Sequence, residues 1–336
     1  MKIDRKAALK KLKALIFNSK TEVEDYRKNL EDTYSTVFLP NRVECTEKEF
    51  GGVPCDVISP MVCSSCRVMI YIHGGSFVGG SRKASRGFCA QLAHASSCRI
   101  IVPEFRLPPT YPFPASIEDS VAVFRSVYEA ENILRGREIS EGSRDDDDTK
   151  GRIIIAADTS GASLACALIF KINKKYRCNI QHLVFFSPWL DLSSDSPLIA
   201  KRRVSDEVLS GEALHAAVDK YTYAANISNP LVSPLKAPPE DFEDFPPVYI
   251  QMGEKEILVQ QAKELKSKLT EVNVECELDI WPNMMYMFQL ADEFLPDSHL
   301  AVEKVGRFLS SRKPESVLDR MEREKIIRKN HIGSED

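Results

Sequence analysis

Short, continuously apolar runs alternate with amphipathic stretches along most of the chain. The runs 67-RVMIYIH-73, 99-RIIVPEF-105, 152-RIIIAAD-158, 182-HLVFFSP-188, 247-PVYIQMG-253 and 275-ECELDIW-281 lack the polar/apolar alternation of a half-solvated strand. They predict strands of a parallel sheet, buried on both faces. Between them, helical spacing covers 84–97, 115–130, 160–174, 256–270 and 297–312. Strand and helix alternating at this interval predict a doubly wound, mostly parallel α/β sheet. Ahead of it, 43–50 and 54–59 flank Gly51-Gly52 and read as an antiparallel hairpin at the sheet edge.

Two segments break the rhythm. Residues 136-GREISEGSRDDDDTKG-151 are acidic and lack apolar periodicity, which predicts an exposed loop whose aspartates are solvated. Segment 193–240 separates two core strands and holds the helical stretch 206-DEVLSGEALHAAVDKYTYAA-225, so it reads as a cap insertion above the sheet's C-terminal edge. The organisation expected is an N-terminal helical or cap segment over 1–42, an α/β domain over 43–313 carrying that insertion, and a charged tail over 314–336.

Composition narrows the partners. A formal net charge of −4 gives no reason to expect nucleic acid. Nine cysteines, an odd number set mostly in apolar runs, suit buried free thiols in a reducing, cytoplasmic setting better than a disulfide framework. The pair 63-CSSC-66 has metal or redox spacing, but no second pair answers it, and it reads as a turn between strands. No metal or organic cofactor is implied. Residues 1–20 carry seven Lys/Arg against one Asp, with Ile3, Leu9, Leu12 and Ile16 near helical spacing. Such a helix either lies on an anionic membrane surface or packs across the domain with its lysines in water.

The candidate chemistry begins at 153-IIIAADTSGASLA-165, where an apolar strand breaks into a helix through Asp158-Thr159-Ser160-Gly161. Ala157 and Gly161 flank a centre where a serine nucleophile is expected and Thr159 stands. The strand ending in His73-Gly74-Gly75-Ser76-Phe77 resembles the His-Gly-Gly-Gly loop of esterases related to hormone-sensitive lipase. The segment 103-PEFRLPPTYPFPASIEDS-120, then 185-FFSPWLDLS-193, 229-NPLVSPL-235 and 246-PPVYIQMGEKEIL-258, match further blocks of that family in order. The resemblance runs from about residue 43 to 312 and implies the α/β-hydrolase fold with helical cap elements.

It also implies roles. The family attacks an ester carbonyl with a serine, helped by a histidine base that a carboxylate orients. Carried onto this chain, the nucleophile, acid and base positions are Thr159, Glu256 and Tyr286. Oxyanion donors fall at the N–H groups of Gly75, Ser76 and Ser160, framed by His73, Gly74 and Gly161. Glu256 is a sound replacement for aspartate. The β-methyl of Thr159 crowds a turn that needs positive φ, and a phenol with an ordinary pKa near 10 does not do the work of an imidazole. A frame shifted to Ser160 would put Asp158 where a small residue is needed.

Two functions follow. One is a catalytically impaired homologue that keeps a pocket for a small acyl or hydrophobic ligand. The other is a working carboxylester hydrolase that uses Thr159 and a base not recognisable in the sequence. Beside both stands a purely structural alternative, with Thr159 a turn residue, Glu256 a solvated helix-start carboxylate and Tyr286 a packed aromatic.

Overall fold

A computed structural model describes residues 3–35, 39–40, 42–61, 67–140, 153–193 and 206–311. The 63–66 cysteine pair, the aspartate run, the first part of the cap insertion and the 314–336 tail lie outside the described residues. Eight strands form one sheet in the order β1-β2-β4-β3-β5-β6-β7-β8. The hairpin β1 (Val43–Phe50) and β2 (Val53–Pro60) lies at one edge, with β2 antiparallel to β4 (Arg99–Pro103). From β4 onward through β3 (Val68–Ile72), β5 (Ile153–Asp158), β6 (Ile180–Phe186), β7 (Val248–Gly253) and β8 (Cys276–Trp281), every pairing is parallel. Every residue of β3, β5 and β7 is buried, which accounts for their unbroken apolar runs.

Helices cover both faces, and two bounds differ from the reading above. The helix from Ala115 runs on to Ser140, so the first residues of the predicted acidic loop are helical. Glu and Arg there are good helix formers even without an apolar stripe. The helix expected at 256–270 spans Val259–Glu271, because Glu256 turns inward before the helix begins.

The N-terminal helix α1 (Arg5–Leu12) starts at an Asp4 cap that accepts the Ala7 N–H at 2.9 Å. Ala8, Leu12 and Phe17 enter the main core, whereas Ile3, placed on the same stripe by spacing, is 66% exposed. Lys11 pairs with Glu293 at 2.6 Å and Arg5 pairs with Glu207, so the helix lies across the domain. The second helix, α2 (Val23–Tyr34), buries Val23, Tyr26, Leu30 and Tyr34. In the insertion, the helix Gly211–Tyr221 buries one face, while Val232, Ser233 and Leu235 are already part of the body. Among the described residues no helix is long and apolar enough to cross a membrane.

Candidate active site

Thr159, Glu256 and Tyr286, the positions the resemblance gave as nucleophile, acid and base, follow the C-terminal ends of β5, β7 and β8, where open α/β sheets place their ligands. Thr159 sits between β5 and the helix Ser160–Lys171 at φ 49°, ψ −118°. For a β-branched residue this conformation costs about 1–3 kcal/mol, so the surroundings must hold it. They do so through the Thr159 N–H, which donates to Phe186 O at 2.9 Å, and the Thr159 carbonyl, which accepts from Trp189 N at 3.0 Å. Gly161 has no room for a side chain, since a Cβ there would run into the Ile72 and His73 carbonyls. The turn is a nucleophile elbow built around threonine.

The oxyanion loop approaches the elbow closely. A Cβ on Gly74 would overlap the Thr159 hydroxyl and the Asp158 carboxylate. Gly75, Ser76 and Phe77 all take positive φ, at 120°, 55° and 62°. The Phe77 N–H donates to Ser160 Oγ at 3.0 Å, which assigns the Ser160 hydroxyl to holding the loop rather than to attack. Among the hydrogen bonds of the described residues, none uses the N–H of Gly75, Ser76 or Ser160. These are the three positions the resemblance gave as oxyanion donors.

Asp158, which the sequence reading did not single out, organises this corner. Its Oδ1 accepts from Tyr71 Oη at 2.7 Å and Gly74 N at 2.8 Å, and its Oδ2 accepts from Thr159 Oγ1 at 3.2 Å. Burial raises its pKa despite these donors. The Thr159 hydroxyl, 4% exposed with the rest of its residue, is thus aimed back at its own neighbour.

Glu256 is fully buried, which corrects the solvated-carboxylate alternative. Its Oε1 accepts from the Gly253 N–H and from Ser187 Oγ at 2.9 Å, and burial drives its pKa well above the ordinary value. Ser187 in turn accepts the Met287 N–H at 3.2 Å. One hydroxyl therefore ties the acid position to the base loop, a link that 185-FFSPW-189 does not reveal because it depends on Ser187 turning at φ 46°.

Tyr286 occupies the base position and is 5% exposed. Burial holds its phenol well above the usual range. The charges of Asp158 and Glu256 add to that, and a hydrogen bond with Thr159 opposes it. Among the described residues no histidine bonds Thr159. His73 stacks on Phe105 at 4.2 Å, with Nδ1 2.9 Å from Gly74 O and burial lowering its pKa. His182 packs on Phe308, and exposed His299 faces Asp292 and Glu303. His331 lies outside the described residues. No group of three or more His, Cys, Asp or Glu among the described residues is placed to hold a metal ion.

Beside the elbow, Phe77 stacks on Tyr221 at 4.1 Å and tilts against Trp189 at 5.2 Å, forming an aromatic wall. The N-terminal helices complete the surround. Tyr26 Oη donates to Leu15 O at 2.7 Å and touches Ser76 Oγ at 3.5 Å, and Arg27 reaches Val78 O at 2.9 Å and Pro108 O at 2.7 Å.

A family model described as alpha/beta hydrolase fold matches residues 69–290. An esterase of Acinetobacter venetianus is 30% identical over 249 residues, covering 74% of this chain and 76% of its own. An acetyl-hydrolase of Streptomyces hygroscopicus is 28% identical over 284 residues, 80% of this chain and 89% of its own. A solved structure described as a hormone-sensitive lipase from a metagenome library superposes with a TM-score of 0.76 at 27% identity, over 93% of this chain and 100% of that one. With the sheet order and the elbow already described, this chain belongs to the α/β-hydrolase fold-3 family, among the carboxylesterases resembling hormone-sensitive lipase.

Proposed function

We propose that this chain is a catalytically impaired member of the family that keeps the esterase site as a binding site for a small acyl or hydrophobic ligand. The observation that carries this reading is the direction of the hydrogen bonds around Thr159. In a working triad the nucleophile donates its proton to an imidazole, which passes it to the leaving group. Here the Thr159 proton points to Asp158, and the group at the base position is a buried phenol that holds its own proton. A phenol that keeps its proton is a poor base for the nucleophile's proton, which is what the reaction needs at this position.

The relatives named acetyl-hydrolase and esterase favour a second reading, an active hydrolase of short-chain or lipid esters, and one geometric feature supports it. Asp158 Oδ2 lies 3.2 Å from Thr159 Oγ1 and is made more basic by burial, which puts a base within reach of that hydroxyl. Hydrolysis of p-nitrophenyl acetate and butyrate separates the two. The impaired reading expects native protein to match Thr159→Val and Asp158→Asn at background. Native turnover abolished by both substitutions would establish the active reading instead.

A further inference from the structure

We infer that the outer face of α1 is a docking surface for an anionic lipid bilayer, an inference that does not depend on whether Thr159 is active. A basic helix can pack across the domain or lie on a membrane, and this helix has a face for each. Ala8, Leu12 and Phe17 are buried in the core, and Arg5 and Lys11 are paired with Glu207 and Glu293. What remains outward is a row of lysines. Lys6, Lys10 and Lys13 recur four and three residues apart, which puts them on one side of the helix, and all three are exposed. Lys20 is exposed a little further on. Among the described residues none of these four lysines has a carboxylate within ion-pair distance. Ile3, 66% exposed, stands beside the Asp4 cap at the start of the helix, and the Asp4 carboxylate is engaged by the Ala7 N–H at 2.9 Å.

The charge of this segment is opposite to that of the rest of the molecule. Residues 1–20 carry a formal +6 in a chain of −4, which leaves −10 on the others. A planar surface meets one side of a protein, so it gains from the lysines while most of the acidic body lies beyond a Debye length of about 8 Å. A nucleic acid that wraps would meet both. Lysine suits the diffuse field of a bilayer, being a compact charge on a long apolar stem with no fixed partner geometry. Arg5, the residue of α1 suited to bidentate phosphate contacts, is engaged by Glu207 and by Asn283 O at 3.2 Å. The helix carries no aromatic side chain to stack on a base, whereas Ile3 offers an apolar side chain to the head-group boundary. Glu22, Glu24 and Asp25 are exposed at the start of α2, which confines the contact to α1. Arg5 on Asn283 O and Asp4 N on Phe294 O at 3.1 Å set α1 beside the loop that carries Tyr286, so docking turns the candidate site's end of the sheet towards the lipid.

The test is co-sedimentation of the full chain with vesicles of phosphatidylcholine alone or with about a third phosphatidylserine, at about 0.1 M and about 0.5 M salt. Binding to the anionic vesicles is expected to be at least about ten-fold tighter than to the neutral ones, and to fall at the higher salt. A lysine near such a surface is worth about five-fold, so the triple variant Lys6→Gln/Lys10→Gln/Lys13→Gln should weaken binding by about 100-fold. Glutamine keeps the helix propensity of lysine, and the three side chains have no ion-pair partner, so the melting midpoint should stay where it is. The triple variant Lys171→Gln/Lys263→Gln/Lys266→Gln makes the same change in net charge at exposed positions on other helices and should bind as the native chain does. Equal affinity for the two kinds of vesicle, no binding to either, or an equal loss in both triple variants would overturn the proposal. Duplex DNA bound as tightly as the anionic vesicles would also overturn it, by making the lysine face a general polyanion site.

Discussion

The elbow after β5 and the loop after β8 are where the resemblance puts a nucleophile and a base, and they depart from that pattern in different ways. At the elbow the side chain changed from the expected serine to threonine while the backbone stayed, with φ 49° held by Phe186 and Trp189 and by the absence of a side chain at Gly161. At the base loop the backbone is also fixed, by Met287 N on Ser187 and by Lys255 N on Met284 O at 3.1 Å, but the functional group has changed its chemistry. Tertiary packing therefore holds the backbone at both positions whatever side chain stands there. The scaffold at these two places is maintained by hydrogen bonds and close glycine contacts that also stabilise the fold, and these do not depend on turnover.

The largest expected effect comes from restoring both side chains. Thr159→Ser with Tyr286→His should raise p-nitrophenyl acetate hydrolysis by about 10³-fold or more, since losing a nucleophile or base costs on the order of 10⁶ in a serine protease of the same logic. Either single repair should give far less, because the members of a triad act as a unit. A double mutant that stays at background would show that the oxyanion loop or Glu256 has also drifted, which removes the contrast between a preserved backbone and a changed group.

Next is the elbow itself. Gly161→Val puts a branched side chain against the Ile72 and His73 carbonyls, which are backbone rather than a flexible side chain. A loss of about 3 kcal/mol or more in urea unfolding is expected, at the upper end for overpacking. A loss below 1 kcal/mol would mean that packing does not hold the elbow.

Arg27→Ala probes how the N-terminal helices hold the loop after β3 that faces the elbow. It removes charged hydrogen bonds to Val78 O and Pro108 O, each contact lying between the N-terminal helices and the body. A destabilisation of about 2 kcal/mol is expected from thermal or urea melts. An unchanged midpoint would reduce the N-terminal segment from a clamp to a loosely attached cover.

These features were unevenly legible in the chain. Buried parallel strands announce themselves as apolar runs, so Ile153–Asp158 and its neighbours were found by pattern alone, and the Gly51-Gly52 hairpin by its turn. Thr159 stood out locally, between Ala157 and Gly161 where a strand breaks into a helix, whereas Glu256 and Tyr286 came only through the family resemblance, because nothing local connects them to an elbow roughly a hundred positions earlier. Ser187, Asp158 and Arg27 carried no signal, since each acts through a backbone group or a partner supplied by the fold. Ile3 was misplaced because spacing defines a stripe but not where the neighbouring element ends.

The smallest effect distinguishes a retired acid position from a working one. Burial holds the Glu256 carboxyl well above the ordinary 4.5 in the folded state. Below that value both states carry the proton and pH has no influence. Above it the unfolded chain ionises while the folded chain keeps its proton, so folding is disfavoured progressively as pH rises towards the folded pKa. Glu256→Gln retains an oxygen for the Gly253 N–H and the Ser187 hydroxyl but cannot ionise. The variant should therefore gain on the native protein by on the order of 1 kcal/mol between pH 4 and pH 7.5 in urea titrations. The opposite trend, native protein gaining on Glu256→Gln as pH rises, would mean that a charged carboxylate is favoured at this position. Glu256 would then still be doing what an acid in a live triad does, and only the base loop would have left the reaction.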